Sequence, residues 1–218
     1  QLHIHIELDE PLVLPINYNH ILQAIIYRTL SVMPDYSEFL HERGYSTGQR
    51  QYKMFQFSQL KGAYKITDKK IMFYSSVEFE VRSPEPLLIH LLNGGFQYDG
   101  ITFGEKRYRN IRTRVADFTV EEQQLYINMK TPIVVYSTDP LTKYTDYYSP
   151  KDQEFYEGIR QNVDNKYAAY YGVEPEEYIE IQKIGDTAAK KMVTKYQGHY
   201  IIAWYGKYIL SGKRKYLD

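Results

Sequence analysis

The sequence contains no cysteine, carries no net formal charge at neutral pH and has no long apolar run. Without cysteine there is no disulfide, no thiolate metal ligand and no cysteine nucleophile. No apolar stretch approaches the roughly 18 residues that a membrane-spanning helix needs, and no basic segment followed by an apolar one marks a secretory signal. These absences predict a cytoplasmic protein without a membrane partner.

Motifs for nucleotide hydrolysis and zinc proteolysis are also missing. Neither the phosphate-binding pattern GxxxxGK nor the zinc-protease pattern HExxH occurs. His3 and His5 share one face of a predicted strand at a spacing that could hold a metal, but no third ligand is evident. We therefore expect neither a cofactor nor a metal site.

The zero net charge argues mildly against nucleic-acid binding, because most nucleic-acid-binding proteins are basic. The charges are segregated, however, and one short stretch holds Lys106, Arg107, Arg109, Arg112 and Arg114. A neutral protein can still present a positive groove if its acidic residues lie elsewhere. Solvated strand faces would explain the same pattern, and composition leaves both interpretations open.

Tyrosine is unusually abundant, with 24 copies. Phenol rings stack on unpaired bases and form hydrogen bonds, which suits an RNA-binding protein. They also fill ordinary cores and strands. We expect most of the tyrosines to be packing residues.

Hydrophobic periodicity gives the order of the first elements. Alternating apolar and polar residues predict a half-buried strand over residues 2–8, and apolar residues at helical spacing predict a helix over residues 18–33. Asp35, with Glu38 three residues later, has the form of a capping box and predicts a short second helix that ends at Gly44. Further strands are predicted over residues 51–60, 71–81 and 101–115, and a helix over residues 87–92 with Gly94 and Gly95 as its cap.

This order, β-α-β-β-α-β with one extra helix, is that of a ferredoxin-like domain. The second half begins in the same way, with predicted strands over residues 125–136, 178–184 and 192–210 and a helix over residues 150–171. The sequence therefore predicts an α+β protein with two tandem ferredoxin-like (RRM-like) domains, whose antiparallel sheets carry helices on one face. The expected domains are residues 1–118 and 119–218.

Several segments, in their order and spacing, resemble the CRISPR-associated endoribonucleases that process precursor guide RNA, members of a repeat-associated RNA-binding ferredoxin-like superfamily. They are PINYNHILQAIIYRTL, FLHERGY and YKMFQFSQL in the first half, and TPIVV, SPKDQEFYEGI, NKYAAYYG and IIAWYGKYILSG in the second. The resemblance covers nearly the whole chain. It implies two ferredoxin-like domains and an enzyme that cuts the repeats of a CRISPR transcript into guide RNAs.

By this resemblance, Tyr27, His41 and Lys53 form the catalytic group. RNA carries its own nucleophile, the ribose 2′-hydroxyl, so the reaction needs a base, an acid and positive charge but no metal ion. A histidine can exchange protons near neutral pH, a lysine can stabilise phosphate charge and a tyrosine can donate a hydrogen bond. The implied products have 2′,3′-cyclic phosphate and 5′-hydroxyl ends. Without the resemblance, the three side chains would be ordinary surface and packing residues.

The resemblance also implies partners. The precursor CRISPR repeat RNA is the expected substrate. Further expected partners are a guide-RNA interference complex of antiviral defence and a second copy of the chain. The side chains expected to contact RNA phosphates are Arg107, Arg109, Arg112 and Arg114. The family typically ends with a glycine-rich loop that approaches RNA. This sequence ends at Leu217–Asp218 before such a loop, so we expect a truncated second domain. A non-cleaving RNA-binding subunit and an interaction module without an RNA role are the alternatives.

Overall fold

The structure is a computed structural model that describes residues 1–48, 50–129, 131–185, 189–196 and 198–217. The predicted strands over residues 125–136 and 192–210 each include one residue outside these ranges. The chain divides into two compact units, Gln1–Phe118 and Thr119–Asp218. Within the described ranges, no helix is both long enough and apolar enough to cross a lipid bilayer.

The first unit alternates short strands with three helices. The helices are α1 (Asn19–Leu30), α2 (Pro34–Glu38) and α3 (Pro86–Asp99), and a π-helical turn, Phe39–Arg43, directly follows α2. The strands are β1 (Leu2–Glu7), β2 (Leu12–Pro15), β3 (Tyr45–Thr47), β4 (Arg50–Tyr52), β5 (Gln56–Phe57), β6 (Tyr64–Thr67), β7 (Lys70–Phe73), β8 (Ser76–Arg82), β9 (Ile101–Phe103), β10 (Lys106–Tyr108) and β11 (Ile111–Val115).

The main sheet of this unit has the strand order β11-β1-β8-β5, and all neighbouring strands are antiparallel. Along the chain its parts follow the order β1-α1-β5-β8-α3-β11, which is the ferredoxin-like order. One apolar cluster joins a single face of the sheet to both longer helices. It includes Leu2, Ile4 and Ile6 of β1, Val77, Phe79 and Val81 of β8, Leu22, Ile26 and Leu30 of α1, and Leu88, Leu92 and Phe96 of α3.

The second unit contains two helices, α4 (Gln153–Tyr171) and α5 (Arg214–Leu217). Its strands are β12 (Gln124–Asn128), β13 (Tyr136–Thr138), β14 (Thr145–Tyr147), β15 (Glu180–Lys183), β16 (Lys191–Tyr196), β17 (His199–Trp204) and β18 (Lys207–Ser211). The sheet β12-β18-β15 is antiparallel, and Tyr208 of β18 stacks on Phe155 of α4 with ring centroids 6.1 Å apart. The order β12-α4-β15-β18 therefore repeats the first three strands and first helix of the other unit. The predicted α+β class with two ferredoxin-like sheets is confirmed.

Two predicted helix boundaries are wrong. Pro34 is the first residue of α2 and Met33 precedes it, so Asp35 and Glu38 lie inside the helix and form no capping box. Proline suits the first helical position because its missing N–H would have no partner there. Helix α3 continues through Gly94 and Gly95 to Asp99 instead of ending at the glycine pair.

In the first unit, three predicted long strands are divided in the structure. The segment 51–60 contains the end of β4 and the whole of β5, with Met54 between them at a φ of 51°. The segment 101–115 forms β9, β10 and β11, with Gly104 at a φ of 62° in the first turn. The segment 71–81 is divided between β7 and β8, which belong to different sheets. Alternating hydrophobicity continues across these turns, so the periodicity alone could not locate them.

Candidate active site

Tyr27 is presented by α1 at the edge of its buried stripe. Leu22, Ile26 and Leu30 are fully buried and fix the rotation of the helix, which leaves Tyr27 half-buried beside them. The Tyr27 ring meets the Phe55 ring edge-on at 5.8 Å between centroids. Burial raises the pKa of the Tyr27 phenol, so the hydroxyl keeps its proton at neutral pH and can donate a hydrogen bond.

His41 lies in the π-helical turn that follows α2. Leu40, fully buried, anchors the turn, and the Gly44 N–H donates to the Phe39 carbonyl at 2.6 Å. The His41 side chain is 66% exposed, and its Nδ1 lies 2.6 Å from Oε1 of Glu42. A carboxylate can only accept, so Nδ1 carries the hydrogen and Nε2 is the nitrogen free to take or give a proton. Single π-helical turns occur frequently at functional sites.

Lys53 reaches the same turn from the other side. Its Nζ donates to the backbone carbonyl oxygen of His41 at 2.7 Å. Gly44 permits this approach, because a Cβ there would lie 2.5 Å from the Tyr52 carbonyl oxygen and 3.2 Å from Cδ of Lys53. Gly44 also has a φ of 62°, which L side chains rarely adopt. Met54, next to Lys53, holds a left-handed φ of 51° and redirects the chain toward β5.

The structure thus gathers the three residues that the sequence predicts as catalytic. The rings of Tyr27 and His41 meet edge-on at 5.3 Å between centroids, and the Lys53 ammonium group bonds to the His41 backbone. Their catalytic roles stay a prediction. Lys53 lies between β4 and β5 and not within the single strand that the sequence predicts over residues 51–60.

Sequence reasoning missed the residues that position this group. Glu42 orients the imidazole, Gly44 admits Lys53, and Phe55 supports the Tyr27 ring. Glu42 and Gly44 both lie in the FLHERGY segment, and its resemblance to the known family was the one sequence feature that could have pointed to them. Their functions depend on the π-helical turn, which hydrophobic periodicity does not reveal.

The four predicted RNA-binding arginines do not share one strand. Arg107 lies in the β9-β10 hairpin and Arg109 lies between β10 and β11, whereas Arg112 and Arg114 lie in β11. Only the last two line the open face of the main sheet, opposite its helices. Nη2 of Arg112 lies 2.7 Å from Oε1 of Glu7, so part of this positive charge is already compensated. Their contact with RNA stays a prediction.

The open face is arranged in cross-strand rows around a concavity of about 290 Å³. One row contains Arg112, His5 and Glu78, and the next contains Arg114, His3 and Glu80. The two ring nitrogens of His5 each lie 2.9 Å from a carboxylate oxygen, and the hydrogen bond to Glu78 is the largest cause of the raised pKa of His5. The pKa of His3 is lowered, mainly by desolvation. Among the described residues, no group of three or more acidic or histidine side chains is placed to hold a metal ion.

Comparison with known proteins agrees with the fold. Residues 112–218 match the family model described as CRISPR associated protein Cas6, C-terminal. No curated protein matches the chain. A solved structure described as CRISPR associated protein Cas6 has a TM-score of 0.73 and 18% identity, covering 99% of this chain and 89% of the other.

Two further solved structures are similar over nearly the same length. A Cas6-related protein from Pyrococcus furiosus has a TM-score of 0.73 and 18% identity, covering 99% of this chain and 88% of its own. A RAMP protein described as binding different RNA substrates has a TM-score of 0.72 and 18% identity, covering 99% of this chain and 90% of its own. The chain therefore shares the fold of these three structures, with two ferredoxin-like units.

The match over residues 112–218 and the likeness of the fold over nearly the whole chain point to the same proteins. The chain is thus similar to the CRISPR-associated Cas6 proteins, as the resemblance of its motifs predicts.

Proposed function

We propose that this chain cleaves CRISPR repeat RNA as a metal-independent endoribonuclease, with His41, Lys53 and Tyr27 as its catalytic residues. The observation that carries the proposal is that Tyr27 and Lys53 both contact His41. The centroids of the Tyr27 and His41 rings lie 5.3 Å apart, and Nζ of Lys53 lies 2.7 Å from the His41 carbonyl oxygen. The match of residues 112–218 to the Cas6 family model supports CRISPR repeat RNA as the substrate. One similar solved structure is described as a Cas6 product complex.

In the proposed reaction, the 2′-oxygen attacks the adjacent phosphorus and the bond from phosphorus to the 5′-oxygen breaks. Nε2 of His41 takes the proton of the 2′-hydroxyl and then gives it to the departing 5′-oxygen, so the products are a 2′,3′-cyclic phosphate and a 5′-hydroxyl. Glu42 keeps the hydrogen on Nδ1 and thereby leaves Nε2 able to act as the base. No external nucleophile is involved, so no metal-activated water is required.

Lys53 and Tyr27 would act on the phosphate group. An ammonium group has three N–H donors, and one of them is used on the His41 carbonyl. The remaining two can stabilise the negative charge that develops on the non-bridging oxygens. The protonated phenol of Tyr27 can donate a hydrogen bond that positions the 2′-oxygen or a phosphate oxygen.

The variant His41→Ala tests the proposal. We expect cleavage of the protein's own repeat RNA to fall by about 10²–10⁴-fold, the usual contribution of general acid–base catalysis, while RNA binding is retained. His90→Ala, at an exposed histidine of α3, is the matched control and should cleave normally. Unchanged cleavage by His41→Ala would refute the role of His41. Wild-type protein that binds RNA without cutting it would instead be a non-cleaving RNA-binding subunit.

The partners of the product follow from this activity. The released guide RNA would enter an interference complex of antiviral defence in the cytoplasm. A homodimer remains part of the proposal, and sedimentation of the chain with and without repeat RNA would detect it.

A further inference from the structure

The second unit contains a concavity of about 260 Å³ at one end of its three-stranded sheet. At this end β12 and β15 finish and β18 begins, since Asn128 pairs with Lys207 and Lys183 pairs with Tyr208. The Ile184 N–H donates to the Lys207 carbonyl at 2.8 Å, which extends the pairing of β15 and β18 to the rim. The walls of the concavity are therefore fixed by backbone hydrogen bonds.

Three lysines from three segments line this concavity. Lys183 ends β15, Lys190 precedes β16 and Lys207 begins β18. Among the described residues, none of these ammonium groups forms an ion pair, and no acidic side chain lines the concavity. Like charges around one concavity repel each other, and a bound anion would relieve that repulsion.

Other lysines of the same unit are already paired. Nζ of Lys213 lies 2.6 Å from Oε1 of Glu177, and Nζ of Lys215 lies 3.1 Å from Oε2 of Glu176. These ion pairs compensate the positive charge of the segment that ends the second unit. The three lysines of the concavity differ from Lys213 and Lys215 in this respect, since no ion pair with a described residue compensates them.

Tyr205 and Asn128 add polar groups to the same walls. The Tyr205 N–H donates to the Lys190 carbonyl at 2.9 Å, and Nζ of Lys190 lies 6.0 Å from the centre of the Tyr205 ring. Lys190 is thus held at the rim by its backbone and by a cation–π contact. Lysines act on phosphate as compact point charges, and amide and phenol groups can donate hydrogen bonds to its oxygens.

We propose that this lysine pocket, formed by Lys183, Lys190 and Lys207, binds a backbone phosphate of the RNA substrate. The inference rests on the proposed function in one respect, namely that the chain binds RNA. The pocket suits a phosphate better than the open face of the first sheet, where Glu78 and Glu80 lie in the same rows as the arginines. It belongs to the second unit, whereas the candidate catalytic group belongs to the first.

The salt dependence of RNA binding tests the lysine pocket. Each phosphate contact on single-stranded nucleic acid contributes about 0.7 to the slope of log affinity against log salt concentration. The variant Lys183→Gln/Lys190→Gln/Lys207→Gln, which loses the contact with one phosphate, should therefore lower the slope by about 0.7 and weaken binding at low salt by roughly tenfold. The probe is the protein's own repeat RNA with a 2′-deoxy group at the cleavage position, measured by fluorescence anisotropy.

A matched triple variant controls for the change in net charge. Lys151→Gln/Lys213→Gln/Lys215→Gln removes three positive charges from the same unit and should retain nearly the wild-type slope. Lys190→Gln/Lys207→Gln replaces only exposed residues, so it keeps the test valid if the first variant folds poorly, and its slope should also fall, by about 0.5 to 0.7. Circular dichroism establishes which variants are folded.

The outcomes separate this inference from the proposed function. The proposed role of the lysine pocket would be refuted if the salt-dependence slope were the same in wild-type protein and in the pocket variants. It would also be refuted if the matched control lost as much slope as the pocket variant. Neither result would affect the proposed RNA cleavage. Wild-type protein that binds no RNA would overturn both. Calorimetry with inorganic phosphate distinguishes a free anion from RNA: binding that the triple variant abolishes, with RNA affinity unchanged, would make this a small-anion site and contradict the proposal.

Discussion

His41 is held by contacts from three separate places in the first unit, two of them to its ring and one to its backbone. Glu42 bonds to Nδ1 from within the turn, the Tyr27 ring packs against it from α1, and Lys53 bonds to its carbonyl from the segment after β4. Such convergence limits the positions that the exposed ring can take. A small displacement of Lys53 should therefore change the chemistry more than it changes the fold.

Gly44→Ala should displace Lys53. The new Cβ would meet the Tyr52 carbonyl oxygen at 2.5 Å and Cδ of Lys53 at 3.2 Å, so this segment must move. A misplacement of about 1 Å can cost on the order of 10²-fold in rate, and we expect cleavage to fall by roughly 10–100-fold. The measurement is the single-turnover cleavage rate, with RNA affinity measured in parallel.

The matched control for this prediction is Gly48→Ala. Gly48 also has a positive φ, 54°, but a Cβ there meets nothing within 4 Å. Both variants should lose roughly 1 kcal/mol of unfolding free energy from the unfavourable φ, and only Gly44→Ala should lose activity. Normal cleavage by a folded Gly44→Ala variant would show that the close approach of Lys53 is unimportant.

His5 should make stability depend on pH. Its pKa in the folded protein is raised above the usual value of about 6.5, chiefly by the hydrogen bond to Glu78. The protonated ring therefore stabilises the fold fully below about pH 6.5, and this contribution is lost as pH rises through the folded-state pKa. Urea unfolding of wild-type protein and His5→Gln should differ by about 0.2–1 kcal/mol more at pH 5.5 than at pH 8.5.

His90→Gln controls for the loss of any histidine, since His90 is exposed on α3. Its unfolding free energy should follow the wild-type pH dependence. A constant difference between wild-type protein and His5→Gln across this range would contradict the carboxylate bridge seen at His5.

At this scale, the sequence predicted the identity of the candidate group but not its geometry. Tyr27, His41 and Lys53 could be selected only through neighbouring motifs, because each residue type at each position suits ordinary packing as well. Glu42 could not be assigned, since an adjacent carboxylate reaches Nδ1 only in a particular turn conformation. The π-helical turn supplies that conformation.

At the scale of elements, α1 and α3 pack closely where Gly95 faces the Thr29 side chain. Oγ1 of Thr29 donates to the Ile25 carbonyl at 3.0 Å, which fixes the rotamer of the methyl group that approaches the glycine. Gly94, one residue earlier, is exposed and has open space around it. The two glycines therefore have different functions within one helix.

This difference gives opposite predictions for the same substitution. Gly94→Ala should raise the unfolding free energy by about 0.5–1 kcal/mol, because alanine is a better helix former than glycine. Gly95→Ala should lower it by roughly 1–3 kcal/mol, because its Cβ would overlap Cγ2 of Thr29. Chemical denaturation of both variants measures the effect, and stabilisation by both would contradict the close packing of α1 and α3.

The glycine pair also shows why the end of α3 was wrongly predicted. Two consecutive glycines usually indicate a helix end, but here Gly95 is required by a contact with another helix and Gly100, at a φ of 77°, ends the element. A helix-to-helix contact involves residues far apart in sequence. Local patterns cannot distinguish it from a cap.

At the scale of the whole molecule, the fold class could be predicted because the order of elements leaves few ways to pair the strands. The distribution of charge could not be predicted in the same way. The arginine cluster of residues 106–114 is divided between two sheets, while the lysine pocket combines residues 183, 190 and 207 from separate segments. A zero net charge therefore conceals a partly compensated basic face and a pocket whose lysines form no ion pair with any residue that the structure describes.

The central claim is that the chain cuts RNA with its own side chains and the 2′-hydroxyl of the substrate. The most direct measurement is to incubate the protein with its own repeat RNA in excess EDTA and to map the product ends. We predict undiminished cleavage that leaves 2′,3′-cyclic phosphate and 5′-hydroxyl ends. A strict requirement for a divalent cation, or products with 5′-phosphate ends, would contradict it.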